Sequence, residues 1–122
     1  MRRKLGYVLF AIGIVHQIVG LLIYGPVLLT ILEAGIVNTI VPPYWDRNAA
    51  FWFFVTGFFL MKYGLLAQWL LEHHGAVPRF SGGGLLALCV VGVVMMPASG
   101  FWLLLPVAAL LLLPSPEQKA AA

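Results

Sequence analysis

The sequence predicts an all-α, polytopic membrane protein: a bundle of four transmembrane helices with an interfacial or re-entrant segment between the first two. Three observations carry this expectation. Of 122 residues 62% are hydrophobic and only 9% charged, about a third of the charge of a typical soluble domain. Two stretches reach the roughly 20 apolar residues that a helix needs to cross ~30 Å of hydrocarbon, and helices are required there because lipid cannot satisfy free backbone groups. Short breaks rich in Pro, Gly, Ser or charge then divide the remaining apolar sequence.

Taken in order, the first span covers about residues 5–24 and ends at Gly25-Pro26. Met1-Arg2-Arg3-Lys4 before it suggests a signal sequence, but no small-x-small cleavage site follows, so a retained signal-anchor helix is expected. In residues 26–44 the apolar portion, 27–41, is about 15 residues long and carries Glu33 near its middle. That is short and polar for a span, and an interfacial or re-entrant helix is expected, with a fifth crossing as the alternative. The second span covers about residues 49–71, between Asp46-Arg47-Asn48 and Glu72-His73-His74-Gly75. Residues 82–113 are too long for one helix, and Met96-Pro97-Ala98-Ser99-Gly100 splits them into spans at about 82–97 and 100–114. Both are short, and would need a thinned bilayer or protein neighbours; Pro106 should kink the last.

Arg2, Arg3, Lys4, Arg79 and Lys119 fall on one side of this arrangement and Arg47 on the other, which places both termini in the cytoplasm. Tyr7, Tyr24, Tyr44, Trp45, Trp52, Trp69 and Trp102 mostly fall at helix ends, as an aromatic belt would.

Several function classes find no support. The seven Lys and Arg are scattered, so no nucleic-acid interface is expected. The single Cys89 allows no disulfide framework. Zinc ligands, a Ser/His/Asp set and a phosphate loop are not in evidence, and neither a metal nor a cofactor is expected. Haem between His16 and His73 or His74 is disfavoured by a depth difference of ~15 Å at 1.5 Å per residue; only a His16 pair across a dimer would suit it.

The informative residues are the polar ones inside the spans. Gly6, Gly13 and Gly20 recur at heptad spacing with His16 and Gln17 among them, and Gly57, Gly64 and Gln68 mark a similar face of the second span. Small residues permit close helix approach, so the two helices are expected to pack together. Lys62 lies about nine residues from its cytoplasmic helix end, ~13 Å deep, and His16 at a similar depth. The two could meet, with Gln17, Thr56 and Tyr63 nearby. On the functional reading they form a buried polar site that binds something or moves a proton. On the structural reading Lys62 slides toward the interface and His16 donates one hydrogen bond to a neighbouring carbonyl.

At the outer side Glu33, Asn38, Trp45, Asp46, Arg47, Asn48 and Trp52 form a second polar group. Asp46 or Asn48 would serve as an N-cap, and Glu33 could pair with Arg47 or, from a re-entrant segment, with Lys62 or His16. His73-His74 suit a helix C-terminus.

The segments GYVLFAIGIVHQIVGLLIYGPVL, NAAFWFFVTGFFLM and GVVMMPASGFWLLLP resemble an uncharacterised family of small bacterial four-helix membrane proteins. The resemblance covers nearly the whole chain; His16, residues 49–53 and residues 97–102 match its pattern, whereas Lys62 is not a family position. It implies four spans in a bacterial inner membrane and supplies no activity.

Three functions are expected to compete. One is a bundle that binds, and by acid–base chemistry transforms, a small apolar molecule such as a quinone, sterol-like lipid or isoprenoid, using His16 with Lys62 or Glu33. Another is an accessory or assembly subunit whose glycine faces receive partner helices, against which a lone homo-oligomer would count. The third is a small proton-coupled exporter, although its first helix offers His16 and Gln17 where small multidrug transporters carry a carboxylate.

Overall fold

The computed structural model describes residues 2–114. A single 3-10 turn, Arg2–Lys4, leads into four helices: α1 (Leu5–Glu33), α2 (Trp45–His74), α3 (Arg79–Met95) and α4 (Phe101–Leu112). The all-α class is as the composition predicts, and no strand occurs among the described residues.

Helix α1 does not stop at Gly25-Pro26. It runs on through Pro26 to Glu33, since the loss of one N–H is tolerated in an apolar helix whose other backbone groups remain paired. The separate interfacial or re-entrant helix expected in residues 26–44 is therefore replaced by an extension of α1 and an irregular connection. Gly35 ends α1 with φ +93, its N–H bonding to Leu32 O at 3.1 Å and the N–H of Ile36 to Ile31 O at 3.1 Å, a Schellman closure. Ile36 and Asn38 also take positive φ, 66 and 54, so no helix can form across them.

Helix α2 begins before the expected residue 49. Its N-cap is Tyr44, without a side-chain cap bond, so neither Asp46 nor Asn48 has the expected capping role. Asp46 sits instead in the first turn, where its charge favours the positive helix end. Gly75, left-handed at φ 72, closes α2 after His73 and His74.

Helices α1 and α2 form one hairpin on the expected glycine faces. A Cβ on Gly64 would stand 2.6 Å from Phe10 N and 2.8 Å from Gly6 O, backbone on backbone, so only hydrogen fits. Helices α3 and α4 form a second hairpin, with Phe101 packed on Gly92. The hairpins join where α4 rests on α1, around a core of Leu5, Leu9, Leu71, Val77, Val107 and Leu111. Helix α3 scarcely touches α2, and a cleft is left between them.

Among the described residues only α1 and α2 are long and apolar enough to cross a membrane. At 17 and 12 residues, α3 and α4 extend roughly 26 and 18 Å, short of ~30 Å. The four-span expectation thus meets its length requirement in two helices.

Candidate functional site

The site is built where Gly57 thins α2. With no Cβ there, the side chains of His16 and Gln17 from α1 lie directly on the α2 backbone: a Cβ at Gly57 would be 2.6 Å from Gln17 Oε1 and 2.9 Å from His16 Cδ2. His16 stacks on Phe53, ring centroids 4.0 Å apart and planes 11° from parallel, and its Nε2 lies 3.0 Å from Phe53 O. A carbonyl oxygen only accepts, so Nε2 is the donor. In the neutral ring Nδ1 is then left with its lone pair as an acceptor. Gln17 Nε2 donates to Phe54 O at 3.1 Å, and Gln17 Oε1 is buried with no partner.

His16 lines a cavity of about 170 Å³ between α1, α2 and α4. Beside it, between α2, α3 and α4, lies a cleft of about 400 Å³ with an almost wholly apolar lining that includes the buried Cys89. Thr56, Leu60, Phe101 and Leu104 wall both. Of the cleft's polar groups, Thr56 Oγ1 donates to Trp52 O at 2.7 Å, and Tyr63 Oη and Ser81 Oγ share a bond of 2.8 Å that links α2 to α3 and leaves one hydroxyl hydrogen unspent. A larger cavity of about 800 Å³ lies at the opposite end, with His74, Arg79 and Leu111 in its wall, and contains none of the residues expected at a site.

Lys62 does not join His16. It is exposed on α2, about 140° around the helix from Gly57 and 160° from Gly64 at 3.6 residues per turn. Among the described residues it forms no ion pair. The structure instead fits the alternative in which His16 donates one bond to a carbonyl.

The outer polar group also resolves differently from a ligand site. Arg47 donates from Nε to Thr30 Oγ1 at 3.2 Å and from a terminal nitrogen to Thr39 O at 3.0 Å, and its guanidinium sits 4.0 Å from the centre of the Tyr44 ring. It clasps the connection rather than pairing with Glu33. Glu33, Trp45, Asp46 and Trp52 are exposed, and no ion pair holds either carboxylate among the described residues.

Sequence reading did not foresee two polar knots. Gln68, 3% exposed, accepts from Tyr7 N–H at 3.3 Å and donates to Arg3 O at 2.6 Å and to Glu72 at 2.7 Å, fastening the start of α1 to α2. Ser81, bonded to Tyr63, carried no signal beyond standing before Gly82-Gly83-Gly84. His73 stacks on Trp69 at 4.7 Å and donates from Nδ1 to its carbonyl at 2.9 Å, in keeping with a helix end. Among the described residues no three His, Cys, Asp or Glu gather to hold a metal.

The model of one family, described as a family of unknown function (DUF6463), matches residues 1–118, in agreement with the resemblance to an uncharacterised family. No curated protein and no solved structure matches the chain.

Proposed function

We propose, from the premise that this chain belongs to DUF6463, a family of unknown function, that it is a membrane-embedded helical bundle which binds a small apolar, lipid-like molecule beside His16. The observation that carries the reading is His16, with Nε2 committed to Phe53 O and Nδ1 left over, in the wall of an apolar cavity next to a cleft of about 400 Å³. Ligand sites generally occupy roughly 300–1,000 Å³ and combine apolar walls with a few convergent polar groups.

Membrane residence is supported by where the apolar surface lies. In the most apolar stretches of α1 and α2 only 22% and 17% of the residues are buried, and Leu22 and Phe80 are 79% and 82% exposed. An apolar surface of that extent is stable only when something apolar covers it. The multi-pass reading, with both termini cytoplasmic in a bacterial inner membrane, rests on the Lys/Arg distribution and the resemblance. Binding is favoured over acid–base transformation because no carboxylate lines the cleft among the described residues.

Native mass spectrometry of the protein released from nanodiscs tests this. Gly84 lines the cleft and a Cβ there meets nothing within 4 Å, so Gly84→Leu places a branched side chain at the cleft wall and should fill part of it. A discrete apolar mass should be retained by the wild type and lost from Gly84→Leu. An apo protein, or a mass held equally by both, would overturn the reading.

A second reading, an accessory subunit, draws on the exposure of Leu88, Val91, Val94 and Met95 on α3, a helix too short to cross alone. One reproducible protein partner in the same spectrum would favour it.

A further inference from the structure

We infer that the molecule taken by the cleft is a long-chain or prenyl alcohol whose hydroxyl donates to His16 Nδ1, in preference to a carbonyl-headed molecule of the same shape. The inference rests on the proposed cleft and adds the chemistry of the head group.

It follows from a count of donors and acceptors. His16 spends its one ring N–H on Phe53 O and keeps only a lone pair at Nδ1. Thr56, which lines both cavities, spends its hydroxyl hydrogen on Trp52 O, so toward the cavity it too offers lone pairs. Gln17 gives an amide hydrogen to Phe54 O, and its oxygen is buried against Gly57. The polar side chains that line the His16 cavity, His16 and Thr56, therefore present acceptors and no donor. An aldehyde, ketone, ester or quinone would set its oxygen against these lone pairs. An alcohol satisfies one of them with its own hydrogen, and leaves its chain for the apolar cleft between α2 and α3.

The stacking on Phe53 makes this orientation firm. Turning the ring over to offer an N–H to the cavity would break the bond from Nε2 to Phe53 O. The head group is thus read by a fixed acceptor, and discrimination is expected to be tenfold or more, since a single unmade hydrogen bond in an apolar site costs at least about that factor.

The test uses farnesol and farnesal, which share one chain and differ only in the head group, with the full-length protein in nanodiscs. Wild type should bind farnesol at least about tenfold more tightly than farnesal. In protein labelled with ¹⁵N-histidine, farnesol should move the His16 Nδ1 resonance upfield, toward a hydrogen-bonded acceptor; with three histidines in the chain, His16→Phe assigns the signal. His16→Phe keeps the stack and the volume but has no acceptor, so it should bind the two probes alike. Equal affinity in wild type, with both probes lost from Gly84→Leu, would overturn the alcohol preference and leave the cleft reading standing. A preference that persists in His16→Phe, or a His16 resonance unmoved by farnesol, would also overturn it. Failure of both probes to bind wild type would overturn the cleft reading together with the inference.

Discussion

At the scale of single residues, glycines divide into those that hold the fold and those that leave room. Gly64 is of the first kind: a Cβ there meets the Phe10 nitrogen and the Gly6 oxygen, neither of which can rotate away. Gly64→Ala should force α1 and α2 apart and cost about 1–3 kcal/mol, the usual range for overpacking, read as a lowered midpoint in thermal unfolding in detergent. Gly84→Ala should do the opposite, because its Cβ enters open space and alanine favours the helix by about 1 kcal/mol. A Gly64→Ala protein as stable as the wild type would show that the helices are not held at the spacing seen here. Gln68 makes a comparable case with hydrogen bonds. Gln68→Leu removes the bonds to the Arg3 carbonyl and to the part-buried Tyr7 N–H, a loss of about 1–3 kcal/mol, and should speed hydrogen exchange at residues 5–9 while leaving α3 protected.

At the scale of elements, the long connection between α1 and α2 is tied to both helices by Arg47. Arg47 reaches Thr30 on α1 and the Thr39 carbonyl in the connection, with Tyr44 beneath its guanidinium. Arg47→Ala should increase proteolysis within residues 34–44 without altering the α1–α2 packing, and Arg47→Lys should not rescue it, since an ammonium lacks the planar fork that serves two acceptors and a ring at once. Resistance to protease equal to wild type would show that the Schellman closure at Gly35 suffices. These elements also show what was legible in sequence. The glycine periodicity placed the α1–α2 face correctly because it records a steric need at fixed spacing. Pro26 misled, because a proline costs a helix one N–H bond without ending it when the backbone groups around it stay paired. The pairing of Lys62 with His16 failed for a geometric reason: distance along a helix fixes depth but not azimuth, and Lys62 shares the depth of His16 while facing away from α1. The cleft itself was not legible at all, since it arises from how one hairpin docks on another through α4.

At the scale of the whole molecule, the two hairpins differ in length, and on the proposed membrane reading that difference sets how a bilayer would meet them. Helices α1 and α2, at 29 and 30 residues, extend about 44 Å each, whereas α3 reaches about 26 Å and α4 about 18 Å. The turn joining α3 to α4 comes no further than the middle of α1: Gly100 and His16 line the same cavity. Residues 96–100 are irregular, with Trp102 Nε1 donating to Pro97 O at 2.8 Å and Ser99 Oγ buried without a partner. Irregular backbone facing hydrocarbon is too costly to persist, so if α3 and α4 cross, the bilayer must thin beside them until headgroups and water reach that turn. Single-cysteine labelling in a Cys89→Ala background measures this in oriented vesicles. Asn38→Cys and Ala98→Cys should react with a membrane-impermeant maleimide from the same side, Ala98→Cys the more slowly, and Gly75→Cys only from the other. Labelling of Ala98→Cys from the Gly75 side would remove the four-span topology, because the second hairpin would then never have entered from that face. Its protection from both sides would place the turn within the hydrocarbon and make the α3–α4 hairpin re-entrant, opening the cleft beside His16 to lipid alone rather than to lipid and water.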